Sequence, residues 1–108
     1  MQEARIILPV LDNQGIELHN AHAFLENALI RHWGGCTIFE GKGIWKDSAS
    51  GTKYREAVYV YDVAMESNPI TRDVLKAVAI HACRMASQEC VYVRHANHEV
   101  EFVSHKGK

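Results

Sequence analysis

No run in this sequence stays apolar for the ~20 residues that a bilayer crossing needs. The two prolines and seven glycines do not gather into a linker. A membrane-spanning helix and a hinged multi-domain layout are therefore not expected. Excess charge of one sign is also missing. Twelve Lys and Arg face thirteen Asp and Glu, for a formal net charge of -1 and a pI near 6.6. Without a basic field, non-specific attraction to nucleic acid has no source. Cysteine is scarce and odd in number: Cys36, Cys83 and Cys90 show no C-x-x-C spacing. They read as reduced thiols packed as small hydrophobes, in a cytoplasmic setting. The start, M-Q-E-A-R, carries an acid and no apolar h-region, so no secretory signal is expected.

What is present suffices for one core. The 108 residues are 47% hydrophobic, enough for a single domain over 1–108 that needs no covalent staple. The last residues, 104–108, read S-H-K-G-K and are expected to fray. Seven histidines hint at sensitivity to falling pH.

Hydrophobic periodicity gives the elements in order. Residues 4–11, A-R-I-I-L-P-V-L, alternate as a strand that is apolar on both faces, with Pro9 marking a bulge or an end. A D-N-Q-G turn follows. Phe24, Leu25, Ala28, Leu29 and Trp33 recur at helical spacing, with Asn20 as N-cap and Gly34 in the left-handed closing position. Residues 36–40 form a short strand, broken at Gly41 and Gly43 before Ile44 and Trp45 resume. After the polar turn at 47–53 comes the longest strand, 54–65. Asn68 and Pro69 open a second helix, with an apolar stripe of Ile70, Val74, Leu75, Val78, Ala82 and Met85. Strands at 89–95 and 98–103 close the chain as a hairpin through Ala96 and Asn97.

The order β-α-β-β-α-β-β predicts an α+β fold of the ferredoxin-like type. An antiparallel sheet carries two helices on one face, and a C-terminal strand is added at an edge. If Ile6, Leu8, Val58, Val60, Val91 and Val93 face the helices, then Ile7, Tyr59, Tyr61, Val63, Cys90 and Tyr92 face away. An apolar second face of this kind marks an association surface, internal cover by the segment around Trp45 or by the last hairpin, or an open ligand face. Association favours a homodimer through Ile7, Tyr59, Tyr61 and Tyr92.

Chemistry-bearing patterns are few. Tyr59, Tyr61 and Tyr92 invite comparison with RNA-binding sheets, but the aromatic-glycine signature of those domains is absent. His19 and His22 stand at i, i+3, with Glu17 and Glu26 near, yet no third ligand appears at diagnostic spacing. Neither a metal nor a cofactor is expected. Gly34, Gly35, Gly41 and Gly43 lack the ending of a phosphate loop. Trp45, Asp47, Tyr54 and Glu56 become neighbours if the strands around the polar turn pair. They line a small ligand pocket or cap a hairpin end. An enzyme would use Glu56, Asp62 or Asp47 as acid or base, with a histidine nearby.

The motifs L-P-V-L-D-N-Q-G at 8–15, W-G-G-C-T at 33–37 and G-I-W at 43–45, followed by an acidic-aromatic strand, resemble a group of small uncharacterised bacterial proteins. These are of the kind carried on mobile elements, integron cassettes among them. The resemblance covers the chain up to about Met65. It implies a compact self-associating α+β domain with a small-molecule pocket near the G-x-W segment, and it carries no catalytic residue with it. The functional expectation is a homo-oligomeric small-molecule-binding or accessory protein. The alternatives are a small carboxylate/histidine enzyme and a protein-interaction module.

Overall fold

The computed structural model describes residues 1–105. Its elements are β1 (Gln2–Pro9), α1 (His19–Trp33), β2 (Thr37–Lys46), β3 (Lys53–Met65), α2 (Pro69–Met85), β4 (Val91–Arg94) and β5 (Val100–Val103). The strands form one antiparallel sheet in the order β2-β3-β1-β4-β5. The α+β class is as expected, and the arrangement is consistent with a ferredoxin-like fold. No helix among the described residues is long and apolar enough to cross a membrane. Of the tail expected to fray, Ser104 and His105 are half-buried and 106–108 lie outside the described residues.

Pro9 ends β1 without cost to the sheet. Val10 N–H donates to Ala57 O of β3 at 3.0 Å, so the ring nitrogen of Pro9 points the other way, toward β4. The β1–β4 ladder covers only Arg5 to Ile7, and no acceptor waits there for the missing donor. Asp12 then ties the turn, its carboxylate accepting from Gln14 N at 2.8 Å and Ile16 N at 2.9 Å.

The start of α1 lies earlier than expected. Leu18 occupies the cap position without a side-chain bond, and Asn20 is inside the helix. The chain is held here by backbone instead: Leu18 N–H donates to Val10 O at 3.1 Å. The helix ends as its sequence predicts, at Gly34 with φ 87° and its N–H on Ile30 O at 2.8 Å. The start of α2 also matches. Asn68 Oδ1 accepts from Thr71 N at 2.9 Å and Thr71 Oγ1 accepts from Asn68 N at 3.1 Å, a reciprocal cap. Its buried stripe is Leu75, Val78, Ala79, Ala82 and Cys83, while Ile70 and Met85 are exposed. Cys36 is half-buried and Cys90 is exposed, so the packing expected of all three thiols holds fully only for Cys83.

The glycines at 41 and 43 do not break β2. Gly41 faces Val58 and Gly43 faces Glu56 across the ladder. Gly41 has no positive φ, and a Cβ there would lie 3.4 Å from a Val58 methyl, at ordinary contact distance, so the residue continues the strand rather than turning the chain. β2 and β3 thus make one long hairpin whose turn contains Gly51 at φ 74°.

The register of β3 corrects the expected faces. Ile6 pairs with Tyr61, Ile7 with Val60 and Leu8 with Tyr59. Directly opposed residues share a face, and one step of register moves a whole strand to the other side. Tyr59, Tyr61 and Val63 therefore lie with Ile6 and Leu8 toward the helices, and Val58 and Val60 lie with Ile7 on the open face. Tyr61 is fully buried in the core with Leu25, Leu29, Leu75 and Val93. Of the four residues expected to form the association surface, only Ile7 and Tyr92, a cross-strand pair, lie on the outward face.

Candidate functional site

The residues expected to line a pocket gather on the hairpin. Trp45 pairs with Tyr54, and their rings stack at 5.8 Å and 25°. Glu56 lies on the same face, opposite Gly43. Burial pushes its carboxyl above the usual range. Trp45 and Tyr54 are both close to half exposed. Asp47 serves the turn: its carboxylate accepts from Ser50 Oγ at 2.7 Å and Ala49 N at 3.2 Å. Those bonds, that of Ser50 first, hold its pKa below the ordinary value. Asp62 is engaged as well. Arg5 donates to it twice, from Nε at 2.6 Å and Nη2 at 2.8 Å, and the guanidinium stands 5.4 Å from the Phe39 ring centre. The bidentate pair is a strong, directional contact. Of the three carboxylates proposed as acid or base, Asp47 and Asp62 are held by hairpin and sheet partners, and none of the three is bonded to a histidine among the described residues.

The structure builds a different site at the start of α1. A cavity of about 360 Å³ is lined by Val10, Glu17, Leu18, His19, His22, Ala23, Glu26 and Tyr59. Its size lies within the range of small-molecule sites, about 300–1,000 Å³. His22 forms the inner wall. It follows Ala21 on the buried side of α1, one turn before Leu25, and its Nε2 lies 2.8 Å from Pro9 O. A carbonyl only accepts, so Nε2 carries the hydrogen. The other nitrogen, Nδ1, is then an acceptor and takes the Tyr61 hydroxyl. Burial lowers the pKa of His22 and raises that of Tyr61, so both stay neutral near pH 7. Tyr59 meets the imidazole edge-on at 4.9 Å, and the Tyr61 ring stacks on it at 5.8 Å.

This geometry separates the two histidines that spacing had paired. His22 points inward with both nitrogens engaged, while His19 is exposed, 3.6 Å from Glu17. Among the described residues no group of three or more His, Cys, Asp and Glu side chains could hold a metal ion. The mouth of the cavity carries Glu17 and Glu26, and the field of Glu26 acts on His22, Tyr61 and Cys36. The site is therefore apolar and aromatic inside and acidic at its rim, which suits a cationic ligand with a flat apolar part. The pairing with His19 by spacing missed the burial of His22; the signal that could have shown it is its place beside Ala21 and one turn before Leu25 on the buried side of α1. Its partner Tyr61 was not, because that contact depends on the β3 register.

No family model matches the chain, and no curated protein matches it. Two solved structures do. A phage SAM lyase in complex with S-methyl-5'-thioadenosine superposes with a TM-score of 0.71 at 14% identity, over 94% of this chain and 88% of that one. A phage SAM lyase in the apo state gives 0.70 at 12% identity, over 98% and 90%. At these identities the likeness is one of fold, and it runs the length of the chain.

Proposed function

We propose that the cavity at the start of α1 binds a compact sulfonium nucleoside of the S-adenosylmethionine type and that the chain cleaves it as a small lyase. The observation that carries this reading is the cavity's acidic rim around an aromatic interior, in a chain whose fold matches phage SAM lyase end to end. Glu17 and Glu26 attract the sulfonium charge, Tyr59 offers it a ring face, and Val10, Leu18 and Ala23 supply apolar contact to the nucleoside. His22 and Tyr61 hold Tyr59 and the inner wall in place.

The chemistry balances without a water. The bond from sulfur to the aminobutyryl chain breaks and its electron pair goes to sulfur, leaving a neutral thioether, S-methyl-5'-thioadenosine. The carbon fragment replaces that bond with its own carboxylate oxygen, closing to a lactone, so no proton has to be removed. Once the charge is gone, the attraction to the rim is lost and release is favoured. The site's share of the work is to bind the substrate folded so that the reacting atoms meet.

A second reading is binding without cleavage, as an accessory protein. It is favoured by His22 and Tyr61 satisfying each other, which leaves neither as an available base. One experiment addresses both. The protein is incubated with S-adenosylmethionine and the mixture chromatographed for S-methyl-5'-thioadenosine, alongside thermal shift with each compound. Stabilisation with turnover supports the lyase, and stabilisation alone supports the accessory protein. Absence of both overturns the site assignment.

Self-association through the open sheet face belongs to the same proposal. Ile7 and Tyr92 lie there beside Phe39, Val100 and Phe102, the last two well exposed, and Phe102 meets Tyr92 edge-on at 5.9 Å. A two-fold pairing of such faces buries the aromatics.

A further inference from the structure

The sheet has one long open edge. β2 is its outermost strand on one side, in the order β2-β3-β1-β4-β5. It is ten residues long and holds no proline, and its ladder to β3 runs unbroken from Thr37 to Lys46. The opposite edge, β5, has four residues. Soluble proteins commonly shorten, bulge or block such edges, because the free backbone groups pair with other strands.

The register identifies the free groups. Val10 N–H donates to Ala57 O, so Ala57, Tyr59 and Tyr61 turn their backbone groups toward β1. Val58, Val60 and Asp62, between and beyond them, turn theirs toward β2. Their partners Gly41, Phe39 and Thr37 are therefore bonded inward, and the residues that alternate with these point outward. The turn agrees, since Asp47 N–H donates to Thr52 O and so continues the inward set. Ile38, Glu40, Lys42 and Ile44 thus present their N–H and C=O groups along the open edge, and all four are exposed.

These residues are self-complementary. Gly41 has Glu40 and Lys42 on either side of it, and Ile38 and Ile44 three residues away in each direction. A second copy laid antiparallel about a two-fold axis at Gly41 sets Glu40 against Lys42 of the copy, and Ile38 against Ile44 of the copy. Each outward backbone group then meets an outward group of the other strand. On the open face, Phe39 lies against Gly43 of the copy, which has no side chain in its way. The two Gly41 residues meet at the axis as a pair without mutual hydrogen bonds, the kind that approaches most closely. An axis at Glu40 or at Lys42 would set like charges directly opposite each other, which destabilises a ladder.

We propose that β2 is a self-complementary docking edge, through which a second copy of this chain pairs antiparallel about Gly41 and joins two five-stranded sheets into one. The contact uses the same patch on both copies. It lies at the side of the sheet away from Tyr92, Val100 and Phe102, so it is independent of packing between open faces and of the sulfonium reading. The patch is narrow and much of it is backbone and charge, which places it below the about 1,200 Å² where standard interfaces begin. Pairing is expected on the order of hundreds of micromolar, above the range in which face packing is read.

The test uses Phe102→Lys, which closes the open face to association and leaves the β2 edge intact. Sedimentation equilibrium runs from about 10 μM to about 1 mM, with amide hydrogen exchange at both ends. The expected result is a monomer at the low end and a dimer at the high end, with slower exchange there at Ile38, Glu40, Lys42 and Ile44. On this background, Glu40→Lys opposes lysine to lysine, and Lys42→Glu opposes glutamate to glutamate. Each should weaken dimerisation at least about tenfold. Both side chains are exposed, so the substitutions leave the fold intact. An equimolar mixture of the two variants should restore pairing to within about threefold, because lysine then meets glutamate at both places. A monomer at every concentration, a dimer insensitive to both substitutions, a mixture that pairs no better than its components, or slowed exchange only outside β2 overturns the proposal.

Discussion

Tyr61 of β3 and His22 of α1 are joined hydroxyl to imidazole across the seam between sheet and helix, and the second ring nitrogen is anchored on Pro9 O at the end of β1. One side chain thus ties three elements together and forms the back of the cavity. Removing the hydroxyl in Tyr61→Phe leaves a buried acceptor without a donor. The expected cost is about 1–3 kcal/mol, read as a lower urea midpoint with the transition still cooperative. An unchanged midpoint would show that this bond contributes nothing.

The same burial makes stability depend on pH. The pKa of His22 is lowered in the folded chain from an ordinary 6.5, by desolvation first. Between the two values the unfolded chain holds a proton that the folded chain does not. Stability is then fully present above about 6.5 and declines as pH falls toward the folded value. Urea midpoints at about pH 7.5 and about pH 5.5 should differ in the wild type, and by less in His22→Gln. A wild-type midpoint equal at both would contradict the burial of a neutral imidazole.

Gly34 closes α1 at φ 87°, and a Cβ added there meets nothing within 4 Å. Gly34→Ala should therefore lose about 1 kcal/mol through backbone strain alone. Chemical denaturation measures it; equal stability would place the cap elsewhere.

Two places are candidates for the proposed ligand: the cavity beside Tyr59 and the hairpin face of Trp45, Tyr54 and Glu56. Tyr59→Ala should weaken binding of S-methyl-5'-thioadenosine at least about tenfold, and Trp45→Phe should leave it unchanged. Calorimetry on both variants decides, and the opposite pattern would move the site to the hairpin.

The proposed association is tested on the open face of the sheet. Tyr61 is buried, so Tyr61→Lys would introduce a charge into the core and unfold the chain. Phe102→Lys touches only the open face, and should turn an assembled wild type into monomers with unchanged helical circular dichroism. Light scattering of the wild type at micromolar concentration comes first. A strict monomer there removes self-association from the account.

Local chemistry determined much of this protein from sequence alone. Asn68, Pro69 and Thr71 specify the start of α2 because cap and first-turn proline act within one turn of chain. Gly34 specifies the end of α1 for the same reason, and apolar periodicity marks the two helices and the strands. The tertiary structure decided what periodicity left degenerate. β3 is apolar at both parities, with Tyr59, Tyr61 and Val63 on one and Val58 and Val60 on the other. Alternation therefore could not say which set meets the helices. The choice comes from ladder register against β1 and from a polar partner far along the chain, His22, that satisfies a buried tyrosine hydroxyl. His95 is of the same kind. Beside a tight turn it reads as ordinary, and only folding buries its ring and turns Nε2 to Glu101. Sites made from residues distant in sequence are set by packing, which no local pattern encodes.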